Sequence, residues 1–163
     1  MRPTPAELRA AHGRTVPDLV GPGVRLLIVG INPGLWSGAT GAHFARPGNR
    51  FFPALHAAGL TRRIDASAGL TDADRAHLLA RGIGITNLHP LATARADEVS
   101  AADLRDGVAR LERLVAEVRP AVVAVAGITA YRTAFRRPRA AAGRQPEVMA
   151  GAELWVVQNP SGL

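Results

Sequence analysis

The sequence has no cysteine and no lysine, and aromatic residues make up 4% of its 163 positions. Without cysteine it has no disulfide, no thiolate metal site and no thiol nucleophile. With so few aromatics, the core must rest on Val, Leu, Ile and Ala, and each aromatic becomes a candidate for a special task. No apolar run approaches the ~18 residues that span a membrane. The opening stretch MRPTPAELRA lacks the apolar centre of a signal peptide. The cytoplasm is therefore the expected compartment, with no membrane partner.

A hydrophobic fraction of 47% with 20% charged residues suits a folded globular chain, expected as one domain over 1–163. All 20 basic residues are Arg, set against 13 acidic ones, for a net charge of +7. This balance suggests a polyanionic partner, and the planar guanidinium fork suits phosphate. The same composition also fits a GC-rich genome. The His residues show no metal-ligand spacing, so neither metal nor cofactor is expected. A monomer is expected, since nothing in the pattern calls for an obligate oligomer.

Thr4 and Pro5 open a short helix over 1–12. VRLLIV at 24–29 reads as a buried strand, followed by a long Gly/Pro/Asn-rich loop from Gly30 to Gly48. Helices are expected at 49–59, 71–80, 100–118 and 128–135, and strands at 83–88, 122–126 and 154–157. Residues Arg136–Gln145 read as a basic loop, which grips phosphates or is simply solvated. Strands alternating with helices predict a three-layer α/β/α sandwich around a four-stranded parallel sheet. In such sheets the working loops lie beyond the carboxyl ends of the strands.

Two loops stand out there. GINPG at 30–34 lacks the spacing of a phosphate loop; its glycines and proline instead fix a tight backbone from which Asn32 projects. An amide supplies an acceptor and two donors, enough to hold a water and touch a base edge. Asn32 can equally form a turn with its own backbone. NPSGL at 159–163 places a second Asn-Pro pair at another strand end.

With GINPGLWSGATGAHFARPGNRFF at 30–52, GIGITNL at 82–88, DEVS at 97–100 and WVVQNPSGL at 155–163, the chain resembles the mismatch-specific uracil-DNA glycosylases. These are relatives of thymine-DNA glycosylase within the uracil-DNA glycosylase superfamily. The resemblance runs from about Val24 to the end, although relatives usually continue into a final helix. It implies that Asn32 positions the attacking water and that Phe44 stacks on the flipped uracil. Backbone amides near Ile31 and Phe44 would read the base's polar edge, and Ser37 would lie by the pyrimidine 5-position. Asn159 takes the place where classical uracil-DNA glycosylases carry His. Ser161, Gly162 and Leu163 would enter the helix from the minor groove, with Leu163 filling the gap left by the base. The implied partner is double-stranded DNA containing uracil mismatches.

An amide cannot accept a proton near neutral pH, so Asn32 alone makes a slow enzyme. Asp97 is the candidate for the missing base, although the family assigns no catalytic acid in this stretch. Its alternative is a carboxylate on the approach to the Ser100 cap, favoured by the helix dipole. Competing functions are a broader uracil glycosylase acting on A·U or single-stranded DNA, and a DNA-damage-binding protein without turnover.

Overall fold

The computed structural model describes residues 1–162, and Leu163 lies outside the described residues. Five strands, β1 (Leu26–Gly30), β2 (Ile83–Asn87), β3 (Val122–Ala126), β4 (Gly143–Met149) and β5 (Ala152–Val157), form one sheet of order β2-β1-β3-β5-β4. The first three and β5 run parallel, while β4 is antiparallel to β5. The helices are α1 (Pro5–Ala10), α2 (Leu35–Thr40), α3 (Phe51–Ala57), α4 (Asp72–Ala80), α5 (Ala101–Val118) and α6 (Ile128–Ala134), with a 3-10 turn at Ala96–Glu98.

The parallel strands read as continuous apolar runs because both sheet faces are covered. Leu27 and Val29 join one core with Val123, Val125, Leu111, Val115 and Tyr131. Ile28, between them, joins another with Ile83, Ile85, Phe51, Phe52 and Leu78. Side chains alternate across a strand, so these cores lie on opposite faces. Helices α5 and α6 cover one face and α3 and α4 the other: the three-layer α/β/α arrangement expected from the sequence.

Local chemistry sets the helix ends. Thr4 with Glu7 and Thr71 with Asp74 form capping boxes at α1 and α4. Ser100 Oγ accepts from Asp103 N–H at 3.0 Å to start α5, whose buried face is Leu104, Gly107, Leu111 and Val115. A Cβ on Gly107 would stand 2.2 Å from the Leu88 carbonyl oxygen, so glycine is what lets α5 sit against the end of β2.

Two elements depart from the sequence reading. The sheet has five strands rather than four, because β4 begins inside the presumed basic loop. Its burial alternates, with Gln145 and Met149 inward, but its register shifts between Arg144 and Val148 across Pro146. Proline removes a ladder donor and is tolerated at a sheet edge, which hid the strand. The other addition is α2, within the long loop. Its Gly38 packs so closely that a Cβ would lie 2.9 Å from Ala92 Cβ and 3.0 Å from the Ala11 carbonyl oxygen. Packing, rather than propensity, holds this turn.

Strands β2 and β3 flank β1 on opposite sides, so the crevice at their carboxyl ends is the topological switch point.

Candidate active site

The chain leaving β1 and the chain leaving β2 are joined by main-chain bonds. Leu88 N–H donates to Gly30 O and His89 N–H to Ile31 O, both at 2.9 Å, and Thr93 N–H donates to Pro33 O at 3.1 Å. Asn32 completes the seam. Its Nδ2 donates to Thr93 Oγ1 at 2.7 Å, Pro33 O at 3.0 Å and Leu91 O at 3.1 Å. Carbonyl oxygens only accept, which fixes which end of the amide is nitrogen. The other end, Oδ1, has no hydrogen-bond partner among the described residues. Asn159 does the reverse: its Oδ1 accepts from Ser161 N–H at 3.0 Å, forming the local turn, and its Nδ2 makes no hydrogen bond among the described residues.

These loops enclose a cleft of about 570 Å³ at the switch point. Ile31, Asn32, Ser37, Phe44, Asp97, Asn159 and Ser161 all line it, beside the strand ends Gly30, Asn87 and Ala126. Ser37 is buried on α2, its Oγ 3.4 Å from the Ala45 N–H. Phe44 holds a left-handed φ of 53°, unusual for an aromatic residue. Its ring stacks on Phe51 with centroids 4.0 Å apart. Phe51 thus stiffens a partly buried aromatic wall.

The sequence reading missed two wall residues, Asn87 and His43, both buried. Asn87 Nδ2 and His43 Nδ1 are 3.1 Å apart, and His43 Nε2 is 2.9 Å from Pro17 O. Burial holds the His43 pKa below its ordinary value, against the opposing pull of the Pro17 hydrogen bond and Asp18. A Cβ on Gly30 would lie 2.5 Å from Asn87 Oδ1 and 3.4 Å from Phe44 Cζ. Glycine at 30 therefore leaves the room that the Asn87 amide occupies. The available signal was the polar Asn87 ending the strand IGITN.

The profile of the Uracil DNA glycosylase superfamily matches residues 17–163. The chain belongs to the uracil DNA glycosylase superfamily. Its fold is similar to the solution NMR structure of a uracil DNA glycosylase candidate from Methanosarcina acetivorans. That likeness has a TM-score of 0.60 at 18% identity, covering 92% of this chain and 85% of the other. Membership supports a uracil DNA glycosylase role, a hydrolase with DNA as its substrate.

In this superfamily member the second motif is tied to the loop before α3. Arg50 N–H donates to Pro160 O at 2.8 Å and Arg46 Nη2 to Ser161 O at 3.0 Å. Gly162 has φ 73°, and a Cβ there would lie 3.2 Å from Gly48 O. Ser161 thus lines the cleft with Arg46 beside it. Asp97 belongs to the 3-10 turn, is exposed, and accepts from Arg95 Nε at 2.9 Å. That hydrogen bond raises the Arg95 pKa. Ser100, not Asp97, caps α5. The Arg136–Arg139 stretch does not line this cleft; it borders a separate groove of about 470 Å³ with Arg144. Arg137 is paired there with Glu147 at 2.8 Å. Among the described residues no cluster of three His, Asp or Glu side chains is placed to hold a metal ion, and no helix is long and apolar enough to cross a membrane.

Proposed function

We propose that the protein is a monofunctional glycosylase that extrudes uracil from duplex DNA, above all uracil opposite guanine, and hydrolyses its bond to the sugar. The observation that carries this reading is the Asn32 amide, whose nitrogen is held by three acceptors while its oxygen is left for a water. A base inside a duplex is out of reach, and extruding it costs a few kcal/mol, least for a mismatched one. Stacking on Phe44, backed by Phe51, returns about 1–3 kcal/mol.

The cleft then presents a distinct partner to each polar part of the pyrimidine. Asn87 Oδ1 accepts the N3–H, and the main-chain amides near Ile31 and Phe44 face the carbonyl edge. Asn159 Nδ2 donates to the oxygen that gains negative charge as the bond breaks. Preorganised donors aimed at developing charge are the largest usual source of rate. Ser37 bounds the 5-position, while Ser161 and Gly162 approach the minor groove. The water held by Asn32 adds its oxygen to the sugar carbon as the base leaves with the bonding electrons. Asp97 takes the water's proton or stabilises the cationic sugar through space.

The test is single-turnover release of uracil from G·U duplex, A·U duplex and single strand. Fastest release from G·U is expected. Equal rates on all three would mark a broad uracil glycosylase, and binding without release would mark a damage-binding protein.

A further inference from the structure

Asn87 is held through both its main chain and its side chain. Arg110 on α5 donates through Nη2 to both the Asn87 and Leu88 carbonyl oxygens. Arg110 Nη1 is 3.8 Å from Asp18 Oδ2, and Asp18 Oδ1 accepts from Thr86 Oγ1 at 2.6 Å. The main chain at the end of β2 is thus clamped. The side chain keeps one binary freedom, which end of its amide faces the cleft.

His43 decides that freedom. The Pro17 carbonyl can only accept, so His43 Nε2 must carry a hydrogen. In the neutral ring, which burial favours, Nδ1 is then an acceptor. An acceptor at 3.1 Å requires a donor, so Asn87 turns Nδ2 toward His43. Oδ1 is left over Gly30, near the Phe44 ring. Turning the amide over would set Oδ1 against the bare Nδ1 lone pair in a buried place, where two unmatched acceptors are costly.

We infer that His43 is a positioning residue that sets the polarity of base recognition, holding Asn87 so that the cleft takes pyrimidines with an N3–H and rejects those with a bare N3. This rests on the reading of the cleft as a uracil pocket. Uracil presents a donor at N3 and meets Asn87 Oδ1. Cytosine presents a lone pair at N3 and meets another lone pair. A site built to pair one polar group discriminates strongly against the isostere that reverses it. His43 need not touch the base; it acts through Asn87.

The experiment uses binding, so that leaving-group chemistry does not enter. Duplexes carry 2′-fluoroarabino-uridine or 2′-fluoroarabino-cytidine, which resist cleavage, opposite an abasic site so that neither base is paired. The natural protein should prefer the uridine duplex by on the order of 10–100-fold. His43→Leu should narrow that preference to about threefold or less. An unchanged preference in folded His43→Leu would overturn the inference. A second measurement needs no variant: long-range proton–nitrogen NMR of the His43 ring in the natural protein should show hydrogen on Nε2 alone. Hydrogen on Nδ1 would overturn the inference outright. A protein that keeps the preference but releases no uracil would sink the glycosylase reading and leave this one standing. One that releases uracil but binds both duplexes equally would do the opposite.

Discussion

Asn32 and Asn159 commit opposite ends of their amides to the loops around one cleft. Asn32 is held through its nitrogen by Pro33 O, Leu91 O and Thr93 Oγ1, whereas Asn159 is held through its oxygen by Ser161 N–H. Two Asn-Pro pairs that look alike in sequence are therefore chemically inverted. One brings an acceptor to the cleft, fit for a water, and the other a donor, fit for a departing base.

Asn32→Ala should keep DNA affinity and lose uracil release by about 100–1000-fold, as when one preorganised contact to the reacting groups is removed. Single-turnover kinetics on G·U duplex decide it. A near-normal rate would remove Asn32 from the mechanism.

Asp97→Asn should lower the same rate by about 100-fold if the carboxylate accepts a proton, the usual worth of a working general base. Its ion pair with Arg95 is exposed and adds little to stability, so the thermal midpoint should barely move. A rate within about threefold of the natural protein would leave Asp97 only a local role in the 3-10 turn.

The groove beside β4 predicts a salt effect. Gln145 Nε2 donates to Ala141 O at 2.7 Å and Gly143 O at 3.0 Å, so the Arg loop is held in place before any ligand arrives. Phosphate contacts release counterions, and log affinity then falls linearly with log salt. Replacing Arg136, Arg137 and Arg139 together with Ala should flatten that slope. Most of the change should come from Arg136 and Arg139, since Arg137 already faces Glu147. An unaltered slope would mean that the loop does not touch DNA.

Burial of His43 carries a pH signature. Its folded pKa lies below 6.5, so in acid the unfolded chain binds a proton that the folded chain resists. This contribution is full above pH 6.5 and is lost as pH falls through the folded value. Thermal midpoints between about pH 7.5 and 5.5 should drop more steeply for the natural protein than for His43→Leu. Parallel slopes would show that His43 titrates alike in both states.

What the sequence by itself determined is local. β1 and β3 follow from short apolar runs, α5 from the Ser100 cap and the Arg119-Pro120 stop, and the two Asn-Pro loops from their place after strands. Each is written within a few consecutive residues, where period and capping chemistry act. Only the tertiary structure decided the rest. Helix α2 forms because Gly38 packs on Ala11 and Ala92, and β4 because a sheet edge accepts Pro146. The polarity of Asn32 depends on Leu91 and Thr93, and that of Asn87 on a histidine 44 positions away. A side-chain amide is symmetric in outline and takes its direction from its partners. No spacing encodes that direction, because those partners meet only after the chain has folded.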